Sequence, residues 1–279
     1  MGVVVRPMLR DELDWAVSLA AAEGWNPGLG DAEAFFAADP EGFLIGDIDG
    51  RPVGCISAVR YPGGFGFMGF YIVLPEFRGQ GLSKAIWDAG IARMAGYNAG
   101  GDGVVEMTPK YLTVGFNYAY RNIRFRGDDL PRREPSESIV AIDQVDPEMV
   151  FAYDRRCFPA DRGAFLTAWL ANPTAVSLAA VSEGNLKGFG TIRQCHEGYK
   201  IGPLFADDFE NADSIFAALC NAVDRGPVFL DVPEPNPGAM RLASKYGMVR
   251  VFETARIYTG EIPEIDLNRV FGVTSFELG

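Results

Sequence analysis

A chain of 279 residues with 48 % apolar composition is long enough to bury two cores, and its net charge of -12 repels phosphate backbones and anionic membranes at long range. Amines and other cations are the easier partners, so neither a nucleic acid nor a membrane is expected. The four cysteines (Cys55, Cys157, Cys195, Cys220) show no paired metal-ligand spacing, and His196 is the only histidine, which excludes a histidine-rich metal site.

No basic stretch leading into an apolar run opens the chain, and no apolar run approaches membrane-spanning length, so a reduced, cytoplasmic protein without a metal is expected. In chain order, Val3 to Val5 reads as a strand and Asp11 to Glu23 as a helix, with Leu13, Val17, Ala20 and Ala21 at helical spacing before Gly24. A second helix, Asp31 to Ala38, lies between Gly30 and Asp39-Pro40. Phe43 to Ile48 and Pro52 to Arg60 read as strands joined at Asp49-Gly50, a dipeptide suited to the positive φ angles of a tight hairpin. Gly66 to Val73 is a further extended run, followed by a glycine-containing loop and a helix over Leu82 to Ala95. Then come a short strand, Val104 to Met107, a helix over Tyr111 to Asn122, and an extended stretch, Ile123 to Arg126. Gly127 to Glu137, with Asp128-Asp129, Pro131 and Pro135, has the composition of a linker and divides the chain into domains 1–130 and 137–279.

The second half repeats the first. Asp49-Gly50 followed by Gly54 matches Glu183-Gly184 followed by Gly188; Met68 to Val73 corresponds to Ile201 to Phe205, and Leu82 to Ala95 to Ala212 to Val223. A strand and a further helix close each half, over Val104 to Asn122 and Val228 to Tyr246. Two copies of one α+β unit are expected.

The strand Gly66 to Val73 runs into Leu74-Pro75-Glu76-Phe77-Arg78-Gly79-Gln80-Gly81-Leu82-Ser83-Lys84. Glycines at 79 and 81 permit a turn whose N–H groups converge, the following helix adds its positive end, and Arg78 and Lys84 add charge, so a diphosphate would fit. Val73 to Ser83 resembles the acetyl-CoA-binding motif of the GNAT acetyltransferase superfamily: an Arg or Gln, two residues, Gly, one residue, then Gly or Ala. Ser83 departs from the usual small apolar residue. The resemblance implies two tandem GNAT-like domains of α+β class, each a mixed, mostly antiparallel twisted sheet flanked by helices. It also implies cofactor contacts from Ile72, Val73, Arg78, Gly79, Gln80, Gly81, Leu82 and Ser83, and transfer of an acetyl group from acetyl-CoA to a primary amine of a small molecule. A non-catalytic acyl-CoA sensor or scaffold is the alternative, and pairing into a homodimer is left open.

In that superfamily a helix ends with Tyr, three residues, then Gly-Phe. Tyr120-Arg121-Asn122-Ile123-Arg124-Phe125 keeps the Tyr and Phe with Arg124 for Gly, so the resemblance makes Tyr120 the general acid to the CoA thiolate, against a reading as a packing residue. Glu106, at the end of the following strand, is the nearest carboxylate for a base, or else a surface residue. Trp25 and Asn26, in Gly24-Trp25-Asn26-Pro27-Gly28, and Tyr71 are the acceptor-side candidates, Trp25 equally readable as a core cap.

In the second copy Arg78 aligns with Glu210, Gly79 with Asn211, Gly81 with Asp213 and Ser83 with Ile215. An acidic loop without glycines repels a diphosphate, so one CoA per chain is expected. Ala243 stands where the tyrosine would.

Overall fold

The computed structural model describes residues 2–133 and 136–279. Glu134 and Pro135 of the expected linker lie outside the described residues. The first half runs β1 (Val4–Pro7), α1 (Arg10–Ala22), α2 (Asp31–Ala38), β2 (Phe43–Ile48), β3 (Arg51–Tyr61), β4 (Phe65–Val73), α3 (Ser83–Arg93), β5 (Asn98–Val104), α4 (Thr108–Thr113) and β6 (Asn117–Gly127). The second runs β7 (Ile139–Ala141), α5 (Pro147–Cys157), α6 (Gly163–Leu170), β8 (Ala175–Ser182), β9 (Asn185–Gln194), β10 (Tyr199–Ala206), α7 (Phe209–Asn221), β11 (Val228–Pro233), α8 (Pro237–Lys245), β12 (Val249–Tyr258) and β13 (Val270–Gly272).

The repeat is present in backbone detail. Both hairpin turns take the same left-handed pair of conformations, Asp49 and Gly50 at φ 52° and 76°, Glu183 and Gly184 at φ 51° and 75°, as a two-residue turn matched to strand twist requires. Gly54 and Gly188 are glycines for one shared reason. A Cβ on Gly54 would collide with the Ile72 carbonyl oxygen of β4, and one on Gly188 with the Phe205 carbonyl oxygen of β10, each on the facing fourth strand of its own half.

The strands of both halves merge into one sheet, ordered β1-β2-β3-β4-β5-β12-β6-β11-β10-β9-β8-β7, with β13 pairing β10 off this path. The two halves exchange strands: β12 lies antiparallel between β5 and β6, and β6 lies antiparallel to β11. Each exchanged strand is locked by an arginine–aspartate pair at directly opposed positions. Arg256 of β12 faces Asp102 of β5 at 2.7 Å, and Arg124 of β6 faces Asp231 of β11 at 2.6 Å; all four side chains are buried. Such a pair lacks bulk water to screen it, so loss of one partner strands a charge in the interior.

The core is also shared. Phe35 of α2 stacks on Trp169 of α6 with ring centroids 6.1 Å apart and meets Phe70 of β4 edge-on at 5.7 Å. Two expectations are corrected here. The segment Tyr111 to Asn122 is not one helix: α4 ends at Thr113, Gly115 turns the chain at φ 96°, and β6 begins at Asn117. Val104 to Met107 is not a strand either, because β5 ends at Val104 and Val105–Met107 forms a single 3-10 turn.

Candidate acyl-CoA site and acceptor cavity

After β4, a 3-10 turn over Pro75–Phe77 leads into the glycine loop. Gly79 and Gly81 adopt φ 74° and 77°, and a Cβ on either would meet nothing within 4 Å, so the requirement for glycine is conformational and the surroundings are open. The Arg78 and Lys84 N–H groups close the turn on the carbonyls of Pro75 and Gly81 at 3.2 and 3.3 Å. Between them the N–H groups of Gly79, Gln80, Gly81, Leu82 and Ser83 find no acceptor among the described residues. Leu82, at the N-cap of α3, offers no side-chain cap, so the positive end of that helix is left to whatever occupies the loop. Arg78 braces the turn: its Nε donates to the Val73 carbonyl at 2.8 Å and its guanidinium pairs with Glu23. Gln80 donates to the Glu76 carbonyl at 2.7 Å.

The equivalent place in the second half is filled by the protein. Asp208 caps α7 by accepting from the Asn211 N–H at 2.9 Å. Beyond the short parallel ladder of β10 with β11, β13 pairs with β10 at Leu204 and Phe205, occupying the groove that in the first half stays open.

That open groove begins where β4 and β5 part. Their parallel ladder covers only Phe65 to Met68 and Asn98 to Gly101. Just beyond, β4 carries an extra residue against β3, since Ile72 faces Cys55 whereas Gly69 faces Ser57, and Phe70 within the bulge is held at φ 48°. A bulge with a bulky residue in the left-handed region is a strained arrangement that re-aims the neighbouring groups. Leu74 donates its N–H back to Val53 on β3 at 2.9 Å; alternation along the strand therefore turns the Val73 N–H to the open side, while Ile72 is buried and faces Cys55.

Into the gap opens a cavity of about 270 Å³. Trp25, Met68, Tyr71, Trp87, Tyr111 and Phe116 of the first half form one wall; Phe252, Thr254, Phe276 and Glu277 of the second half form another. The second half thus completes the site. The expected Trp25 and Tyr71 are both here, and Tyr71 donates its hydroxyl to the Ser83 carbonyl at 3.0 Å, tying cavity to loop.

Three expected residues are elsewhere. Asn26 spends its amide on the second half, donating to the Glu197 carbonyl at 2.9 Å and accepting from the Glu197 N–H at 2.8 Å. Glu106, on the 3-10 turn, is exposed and does not line the cavity. Tyr120 is a buried residue of β6, beside Arg256 and the separate small void near Phe158 and Arg162, and burial raises its hydroxyl pKa. Besides Tyr71, whose hydroxyl is spent on Ser83, the cavity is lined by Tyr111. The signal for it stands in the sequence: Tyr111-Leu112-Thr113-Val114-Gly115-Phe116 carries the full Tyr, three residues, Gly-Phe pattern, without the substitution that Arg124 demanded. Burial, with Tyr71 nearby, raises the Tyr111 pKa, so the hydroxyl holds its proton at neutral pH. In the second half Ala243 and Gly247 stand at the positions of Tyr111 and Gly115.

A helix that follows a loop of free amides, beside a strand splayed from its neighbour over a cavity, is the architecture of an acyl-CoA-dependent acyltransferase. Residues 9–105 match the family described as Acetyltransferase (GNAT) family, and residues 150–272 match that described as Acetyltransferase (GNAT) domain. The chain belongs to the GNAT superfamily as a tandem-domain acyltransferase, and acyl-CoA is the co-substrate of that superfamily. It is 29 % identical over 267 residues to holothin acyltransferase of Pseudoalteromonas sp. (strain SANK 73390), spanning 95 % of this chain and 90 % of that one. A solved structure of a Pyrococcus horikoshii protein superposes with a TM-score of 0.85 at 22 % identity, over 100 % of this chain and 96 % of the other. A tandem GNAT protein from the clavulanic acid biosynthesis pathway gives a TM-score of 0.64 at 14 % identity, over 93 % and 99 %. Among the described residues no helix is long and apolar enough to cross a membrane.

Proposed function

We propose that the protein transfers an acetyl group from acetyl-CoA to a primary amine of a small molecule. The observation that carries this reading is the row of free N–H groups from Gly79 to Ser83 at the mouth of the gap between β4 and β5. A diphosphate accepting from those amides would send the pantetheine arm along β4, past the outward N–H of Val73, toward the bulge at Phe70. There a backbone N–H would hold the thioester oxygen as it becomes an oxyanion, which is worth on the order of 3 kcal/mol for one well-placed donor. A cavity of about 270 Å³ admits a small acceptor far more readily than a folded protein surface, and the relative named holothin acyltransferase supports acyl transfer as the reaction.

The amine nitrogen attacks the thioester carbon, a C–N bond forms, and the tetrahedral intermediate collapses with loss of the C–S bond. The leaving thiolate has an ordinary pKa near ~8.5, below that of tyrosine, so Tyr111 serves it as a hydrogen-bond donor while the second amine proton passes to sulfur. Thiol release from acetyl-CoA across a panel of small amines tests the reading. Amine-dependent release with formation of the amide supports it; tight CoA binding without amine-stimulated release by any amine would make the protein a binding module and refute it.

A further inference from the structure

Glu277 is a carboxylate with no evident structural employment. It lies on the segment after β13, which threads back into the first half so that Leu278 joins the core around Phe35 and Phe43 and the Glu277 backbone abuts Gly69 of β4. Only 3 % of the residue is exposed, yet it lines the acceptor cavity. Among the described residues its side chain has no hydrogen-bond or salt-bridge partner, and the residue forms part of the cavity wall. The other carboxylate in the wall, Asp102, is fully engaged, accepting from Arg256 at 2.8 and 2.7 Å and from Asn122 at 2.8 Å.

We infer that Glu277 is the general base of the first half's reaction, supplied by the C-terminal segment of the second half; this rests on the amine-acylation reading above. An alkyl ammonium enters the cavity protonated, with a pKa near ~10.4, and carries no lone pair for attack. Its N–H proton passes to a Glu277 oxygen, the freed lone pair forms the C–N bond, and Glu277 returns the proton to solvent. The second amine proton leaves with the thiol, so the balance is one proton released per acyl group transferred.

The charged groups facing Glu277 are Lys200 of β10, Arg124 of β6, Arg193 of β9 and Asp31 of α2. Each cation is already held: Lys200 on the carbonyls of Trp25 and Asn26 at 3.3 and 2.7 Å, Arg124 on Asp231, and Arg193 on Asp31 at 2.8 Å. Across the cavity Asp102 and Arg256 neutralise one another, and Tyr111, its pKa raised by burial, keeps its proton. Burial raises the Glu277 pKa, with Lys200 and Arg124 opposing. A carboxylate made more basic by its surroundings, and left unbonded, is suited to accept a proton.

The test compares wild-type enzyme, Glu277→Gln and Glu277→Asp with acetyl-CoA and two amines, benzylamine, protonated at neutral pH, and aniline, which is not. For benzylamine at pH 7, Glu277→Gln should lose roughly 100-fold in kcat/KM, and its rate should climb about tenfold per pH unit as free amine accumulates. Aniline should lose less than tenfold, and Glu277→Asp should recover part of the benzylamine rate. Acetyl-CoA affinity by calorimetry should stay within threefold, which establishes that the variant is folded. Equal losses for both amines, or none, with CoA binding intact would overturn the assignment alone. Wild-type enzyme that binds acetyl-CoA but acylates neither these two amines nor any other of the panel would overturn the amine-acylation reading together with this one.

Discussion

Replacing Gly81 by Ala isolates the contribution of the loop amides. Gly81 sits at φ 77° with nothing within 4 Å of the place a Cβ would take, so the added methyl clashes with no neighbour and the change is confined to the backbone. Holding an L-residue in the left-handed region costs about 1–2 kcal/mol. In the free protein the exposed loop can relax away from that conformation, and binding must then restore it. The expected loss of acetyl-CoA affinity is therefore roughly 5- to 30-fold, at about 1.4 kcal/mol per decade. Isothermal titration calorimetry measures it, with the thermal midpoint followed in parallel. Gly63 in the turn between β3 and β4 is a matched control, at φ 83° with equally open surroundings. Gly63→Ala carries the same backbone penalty away from the loop, so it should lower stability and leave CoA affinity within twofold. Unchanged affinity in Gly81→Ala, or equal weakening in Gly63→Ala, would refute the assignment of the diphosphate to this turn.

Calorimetry should count one acetyl-CoA per chain, because Asp208 and β13 fill the second site; two equivalent sites would contradict that. Tyr111→Phe should lower kcat by at least tenfold with little change in CoA affinity, whereas Tyr120→Phe, remote from the cavity, should leave kcat within about threefold. Arg256→Met should destabilise the protein by about 3–5 kcal/mol by leaving Asp102 buried and unpaired, and calorimetric unfolding should remain a single transition, since the pair joins both halves; separate transitions for the two halves would argue against a shared sheet. The pH dependence of stability follows from Glu277, whose pKa in the folded protein is raised above the ordinary 4.5. Below pH 4.5 both states hold the proton, and as pH rises from there the unfolded chain releases it first, so wild-type stability falls until the folded-state pKa is passed. Glu277→Gln lacks that fall: its thermal midpoint should match wild type near pH 4 and exceed it at pH 7.

The glycine loop, the hairpins and the duplication were legible because each is a local matter. Gly79, Gly81, Asp49-Gly50 and Glu183-Gly184 announce backbone conformations that the flanking residues cannot disguise. Of the strand β6 only the second part was legible, as the extended stretch Ile123 to Arg126, since Asn117, Arg121, Asn122, Arg124 and Arg126 give the strand a polar look. That composition misleads because two of these residues, Asn122 and Arg124, are buried against Asp102 and Asp231 respectively. Reading Tyr111 to Asn122 as one helix moved the tyrosine motif nine residues too far and made Arg124 a defect in it, although Arg124 belongs to the strand exchange. The acceptor side was harder still. Phe252, Thr254, Phe276 and Glu277 reach the cavity only through pairings between residues more than a hundred positions apart, and no local pattern encodes such a partner.

The strand exchange also bears on what a shortened version of this protein could do. A chain stopped after Gly127 would retain the whole glycine loop, Tyr71 and Tyr111, yet β5 would have a bare edge, Asp102 no counter-charge and the cavity only one wall. The second copy has thus been free to discard its own chemistry while remaining indispensable as scaffolding, and the two halves stand or fall as an inseparable pair.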